Sequence, residues 1–130
     1  MIDTAGSPRL VASTHEPAPS VGGQIRRRLR TLLTSWDVAA ETVEDALLVV
    51  EELVANVVDH ARTQFRLTVH LVGSVLRIAV RDCSERSPRV RPFDAYATRG
   101  RGLQLVAALA RKWGCDRHEH GKTVWAELAA

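Results

Sequence analysis

Residues 40–61 read Ala-Glu-Thr-Val-Glu-Asp-Ala-Leu-Leu-Val-Val-Glu-Glu-Leu-Val-Ala-Asn-Val-Val-Asp-His-Ala. Val43, Ala46, Leu47, Val50, Leu53, Val54, Val57 and Val58 recur at helical spacing, and no Gly or Pro interrupts them. The stripe is too broad for a surface helix, so this one belongs in the core. Glu52, Asn56 and His60 fall at i, i+4 and i+8 along it, three polar groups down one line of an otherwise apolar helix. A carboxylate and an amide one turn apart offer oxygen donors to a hard cation such as Mg²⁺. The same carboxylate is placed to polarise a hydroxyl or water. On spacing alone a solvated helix edge is the commoner reading, because charged faces are the norm.

Ahead of this helix, Val21, Ile25, Leu29, Leu32 and Leu33 mark another from an N-cap at Ser20 to about Trp36, with Arg26, Arg27, Arg28 and Arg30 on its other side. Arg9 to Thr14 reads as a short edge strand before Pro17 and Pro19, and residues 1–8 as a disordered tail. Downstream, Phe65 to Val72 and Val75 to Arg81 are rich in β-branched residues and flank Gly73-Ser74, a two-residue hairpin turn. Residues 82–101 read as a long loop, a length that in compact domains is often functional. Leu103, Leu105, Val106, Leu109 and Ala110 predict a third helix up to Trp113, stopped by Gly114. Cys115 to Glu119 and Lys122 to Leu128 predict a last hairpin turning at His120-Gly121. The economical packing is α+β, a two-layer sandwich in which about three helices cover one face of a mixed, mostly antiparallel sheet.

Composition agrees with one globular domain over residues 9–130. Of 130 residues, 45% are hydrophobic and 25% charged, enough to bury a core but too few for a second one. No apolar run is long enough to cross a bilayer, and Met1 to Ala5 has neither a basic nor an apolar signal region, so a cytoplasmic protein is expected. Cys83 and Cys115 form no CxxC pair, which argues against a zinc ribbon or a disulfide framework. A net charge of +3 is too small to imply nucleic acid, and no aromatic residues interleave the arginines.

Other residues bear on chemistry one at a time. Asp82 ends an apolar strand, where a carboxylate either takes a hydrogen bond from an exocyclic amine or stops the strand with an Asx turn. Gly100-Arg101-Gly102 opens the third helix, where free N–H groups and the helix dipole favour an anion, although a simple flexible helix entry is the more frequent reason for such a pair. Thr123, early in the last strand, places a hydroxyl that either meets a base or satisfies the sheet. His118-Glu119-His120 supplies at most part of a metal site, since zinc takes four ligands.

Taken in order, Val50-Glu51-Glu52-Leu53-Val54-Ala55-Asn56-Val57-Val58-Asp59-His60-Ala61, Ile78-Ala79-Val80-Arg81-Asp82 and Arg99-Gly100-Arg101-Gly102-Leu103-Gln104-Leu105-Val106 resemble the GHKL superfamily. This is the Bergerat-type ATP-binding domain of DNA gyrase B, Hsp90, histidine kinases and MutL. Within it the chain looks most like the free-standing anti-sigma-factor serine kinases, and the resemblance covers residues 9–129. It implies ATP and Mg²⁺ as ligands, with Glu52 as the general base, Asn56 on the metal and Asp82 on the adenine amine. Gly100, Gly102 and Leu103 would form the loop and helix start that close on the nucleotide, and Thr123 would help hold the base. It also implies dimerisation and two protein partners, a sigma factor and a STAS-domain anti-anti-sigma protein, with no direct role for nucleic acid or membrane.

One departure separates two outcomes. The family pattern after the aspartate is usually Asp-x-Gly-x-Gly, whereas Asp82 is followed by Cys83-Ser84-Glu85-Arg86, with Ser84 and Arg86 at the glycine positions. The chain is then either an ATP-binding regulator that phosphorylates its antagonist, or a catalytically degenerate module that keeps the fold and binds a protein through its basic first helix. A detached histidine-kinase domain ranks below both, because the prolines beside His15 disfavour a phosphoacceptor helix there.

Overall fold

The computed structural model describes residues 8–84 and 100–130. Its elements are β1 (Arg9–His15), α1 (Val21–Ser35), α2 (Ala40–Asn56), β2 (Phe65–Val72), β3 (Val75–Asp82), α3 (Gly100–Leu109), β4 (Lys112–His118) and β5 (Gly121–Ala129), with a π-helical turn over Val57–Ala61 between α2 and β2. The strands form one sheet in the order β1-β2-β3-β5-β4, and every neighbouring pair is antiparallel. The α+β sandwich expected from the sequence is therefore present, with a wholly antiparallel sheet among the described residues in place of a mixed one.

Strand alternation sends Phe65, Leu67 and Val69 of β2, Leu76, Ile78 and Val80 of β3, and Ala126 and Leu128 of β5 to the helix-covered face, where all are buried. The helices answer with Ile25, Leu29 and Leu33 from α1, Val43, Leu47, Val50, Leu53 and Val54 from α2, and Val106 from α3. Full burial of such side chains stabilises by roughly 1.5–3 kcal/mol each. The α2 stripe is buried as its periodicity predicts. The basic side of α1 is partly consumed at home: Arg30 grips Glu44 of α2 at 2.6 Å and Arg26 lies 3.9 Å from Glu51. Ser20 stands at the N-cap of α1 but makes no side-chain capping bond.

Three boundaries differ from the sequence expectation. The helix that begins at Ala40 is α-helical only to Asn56, after which it widens into the π-turn, closed by the Arg62 N–H on the Val57 carbonyl at 2.7 Å. Arg62 then leaves the helix at φ 53°. The third helix stops at Leu109, and Trp113 and Gly114 lie inside β4. Gly114 pairs with Trp125 across the ladder, and a Cβ there would stand 2.8 Å from the indole ring. That glycine is the seat of a large aromatic on the next strand and not a helix stop. Finally, Asp82 and Gly100 belong to β3 and α3, so the segment read as a loop is shorter at both ends; its residues 85–99, like residues 1–7 of the expected tail, lie outside the described residues.

Candidate functional site

The sheet has two ends. At one, Ala129 closes β5, where its carbonyl accepts from the Thr42 hydroxyl at the start of α2 (3.1 Å). At the other, Asp82 closes β3, opposite Phe65 of β2 and Lys122 of β5. Helix α2 starts at the first end and delivers Glu52, Asn56 and the π-turn toward the second. The chain leaving that turn is tied down there, since the Cys83 N–H donates to the Thr63 hydroxyl at 3.0 Å. Helix α3 runs the other way: just beyond it, the Arg111 N–H bonds the Glu127 carbonyl at 2.7 Å. A ten-residue helix spans roughly 15 Å, so Gly100 and the positive end of the α3 dipole are carried back toward Asp82.

Asp82 is the most constrained polar group at this end. It is 1% exposed, and at that depth an unpaired carboxylate would be strongly disfavoured. One oxygen, Oδ1, accepts the Ser84 N–H at 2.9 Å, and the other, Oδ2, lies 2.7 Å from the Lys122 ammonium. Both local readings of Asp82 thus coexist: the Ser84 contact is the Asx-type turn that ends the strand, and it leaves acceptor capacity on a carboxylate with about four lone-pair sites. Gly121 permits this closure. A Cβ at that position would collide with the Asp82 carbonyl oxygen.

The predicted residues divide by location. Glu52 and Asn56 share one face of α2, one turn apart and both half-buried, Asn56 being the last α-helical residue before the widened turn. His60 lies within that turn and is exposed. Gly100 and Gly102 sit inside the first turn of α3 instead of ahead of it, and Leu103 follows, half-buried. Thr123 is not brought to this group. It pairs with Arg81, on the sheet face away from the helices, and its hydroxyl is 2.7 Å from His118 Nε2. Its neighbour Lys122, which sequence reading passed over, is the β5 side chain that meets Asp82. Counting the strand pleat from the buried Ala126 and Leu128 would have placed 122 and 124 on the inner face.

The donor chemistry fits a nucleotide with Mg²⁺ better than a protein-held metal. Among the described residues no group of three or more His, Cys, Asp or Glu is arranged to hold a metal ion, which removes the His118-Glu119-His120 zinc reading there. A carboxylate and an amide on one helix face suit Mg²⁺, which takes one or two such ligands and completes its octahedron with phosphate and water. Cys115 is an exposed residue of β4 beside this end of the sheet, and desolvation of its thiol by neighbouring atoms is the chief cause that pushes it above the ordinary range. That makes it a poor nucleophile.

Comparison with known proteins places the chain. The family of histidine kinase-like ATPase domains matches residues 15–128. Among solved structures, the crystal structure of the RsbU and RsbW domains of Rv1364c from Mycobacterium tuberculosis superposes on 93% of this chain with a TM-score of 0.73 and 17% identity. The match takes in 32% of the length of that longer chain, and at such low identity it speaks for the fold. The chain matches none of the curated proteins with which it was compared.

Proposed function

The chain belongs to the histidine kinase-like ATPase domains, and from that premise we propose that it is an ATP- and Mg²⁺-binding regulator of the anti-sigma-factor kinase type. In this reading it sequesters a sigma factor and phosphorylates a serine of a STAS-domain antagonist. The observation that carries the nucleotide site is the placement of Asp82, a buried carboxylate at the sheet end toward which α2 brings Asn56 and α3 brings its N-terminus. Asp82 takes the exocyclic amine of the base. The first turn of α3, with Gly100 and Gly102, receives the phosphates through backbone N–H groups. Asn56 holds Mg²⁺, and Leu103 packs at the start of α3 behind the phosphate turn. Bound Mg²⁺ supplies neutralisation of phosphate charge in an in-line transfer. Glu52, one turn before Asn56, orients the attacking serine hydroxyl and accepts its proton.

The antagonist and the sigma factor are proposed from the resemblance to anti-sigma kinases and from a fold shared with a chain whose title names RsbU and RsbW domains. A cytoplasmic setting goes with these partners, and no helix among the described residues is long and apolar enough to cross a membrane. The test is a calorimetric titration with ATP, with and without Mg²⁺, on the wild type and on Asn56→Ala. Binding that Mg²⁺ strengthens in the wild type and leaves unchanged in Asn56→Ala is expected. Equal Mg²⁺ dependence in both proteins would remove Asn56 from the metal.

A further inference from the structure

We infer that Lys122 is a base-reading residue: its ammonium donates to N1 of adenine while the Asp82 carboxylate accepts the adjoining exocyclic amine. The inference rests on the nucleotide reading above and adds to it the residue that sets the polarity of the base edge. Lys122 Nζ lies 2.7 Å from Asp82 Oδ2, with the two side chains only 12% and 2% exposed. The residues are direct partners in the β3–β5 ladder, so the pair is fixed by the sheet and not by a mobile surface arm.

Stability alone is a poor reason for a lysine here. Desolvating an ammonium and a carboxylate costs about what their attraction returns, and an apolar pair of similar size generally serves a core as well. What the pair offers is hydrogen-bonding capacity beyond its contacts among the described residues. An ammonium has three donors and a carboxylate about four acceptor sites. Of these, Oδ2 and Nζ engage each other, and Ser84 takes one site on Oδ1. An acceptor and a donor 2.7 Å apart then stand side by side at the buried sheet end.

Adenine carries the complementary edge on C6, an amine donor next to the N1 acceptor. Guanine in the same seat reverses both signs, setting O6 against the carboxylate and N1–H against the ammonium. The only hydroxyl nearby on β5, Thr123, faces the other side of the sheet, which leaves Lys122 as the side chain of that strand placed to contact N1.

The experiment compares ATP, GTP and 1-deaza-ATP, which keeps the amine and lacks the N1 acceptor, by calorimetry on the wild type, Lys122→Met and Lys122→Gln. Wild type should bind 1-deaza-ATP at least about tenfold more weakly than ATP, the usual effect of deleting one hydrogen bond to a charged donor, and GTP more weakly still. Lys122→Met should bind ATP and 1-deaza-ATP within about twofold of each other, and Lys122→Gln, which keeps an N–H donor, should recover part of the difference. A lysine that only supports the fold would weaken both nucleotides equally and leave their ratio intact. Equal binding of ATP and 1-deaza-ATP by the wild type overturns the inference, even if Lys122→Met fails to fold. So does an unchanged ratio in Lys122→Met, or tighter ATP binding there, which would make Lys122 a plug. No ATP binding by folded wild type at millimolar concentration would instead overturn the nucleotide reading itself.

Discussion

Gly121 and Asp82 approach so closely that position 121 has no room for a side chain: a Cβ there would run into the Asp82 carbonyl oxygen and lie 3.1 Å from Cys83 Cα. Strand β5 enters the sheet through this contact, at a φ of 153° that L side chains rarely adopt. The next residue is Lys122, in register with Asp82. The pairing at the site therefore depends on a glycine that touches no ligand.

Gly121→Ala should force the ends of β3 and β5 apart. The expected loss is about 1–3 kcal/mol, the usual range for overpacking, read from the denaturant midpoint with unchanged slope. ATP affinity should fall with it, because the Asp82–Lys122 pair is displaced. A variant as stable as the wild type would show that the contact relaxes without consequence.

The same logic at the far side of the sheet has no link to the site. Trp125 lies over Gly114 and carries the Arg77 guanidinium 4.3 Å from its ring centre. Gly114→Ala should destabilise by about 1–3 kcal/mol and shift tryptophan emission, yet leave the affinity of the remaining folded protein for ATP within about twofold. A large loss of affinity at full folding would mean that the outer face of β5 communicates with the site.

His15 makes stability depend on pH in a definite direction. Burial, with help from the Arg28 charge, lowers its pKa below the ordinary 6.5; the ring packs 5.4 Å from Phe65 and meets the Ser13 hydroxyl at 2.6 Å. Folding thus disfavours the protonated ring. Its contribution is intact above pH 6.5 and is lost as pH falls from there through the lower, folded value. Wild type should lose more melting temperature between pH 7.5 and 5 than His15→Gln does. Parallel losses would show that His15 titrates alike in folded and unfolded chains.

Glu52→Gln separates chemistry from binding. Phosphoryl transfer to a serine acceptor should drop by at least about a hundredfold, the usual scale of general-base assistance, with ATP affinity nearly unchanged. Transfer at the wild-type rate would exclude Glu52 as the base.

Much of this architecture is legible in the sequence because one physical rule dominates each stretch. The valines and leucines of α2 have only one way to be buried together, and the runs on either side of Gly73-Ser74 can satisfy their backbones by pairing with each other. Misreadings occur where two rules compete. Gly114 looks like a helix stop from its neighbours in sequence, but its role is set by Trp125, eleven residues on and adjacent only in the sheet. At Thr123 and Lys122 the pleat decides what local sequence leaves open, setting the hydroxyl on the outer face beside His118 and the ammonium beside Asp82. The π-turn after Asn56 leaves no local signature, since an apolar stripe continues through Val57 and Val58; tertiary anchoring of the chain through Thr63 and Cys83 accompanies it. Glu52, Asn56 and Asp82 could be singled out because each is polar in an apolar setting, which Lys122, two residues from a turn, is not.

The most direct measurement is a calorimetric titration of wild type and Asp82→Asn with MgATP. Saturable binding of one nucleotide per chain is expected for the wild type, weakened at least about tenfold in Asp82→Asn, whose amide has lost both the charge and half of the acceptor atoms. Equal affinity in the two proteins, or no binding by folded wild type at millimolar ATP, would contradict this expectation.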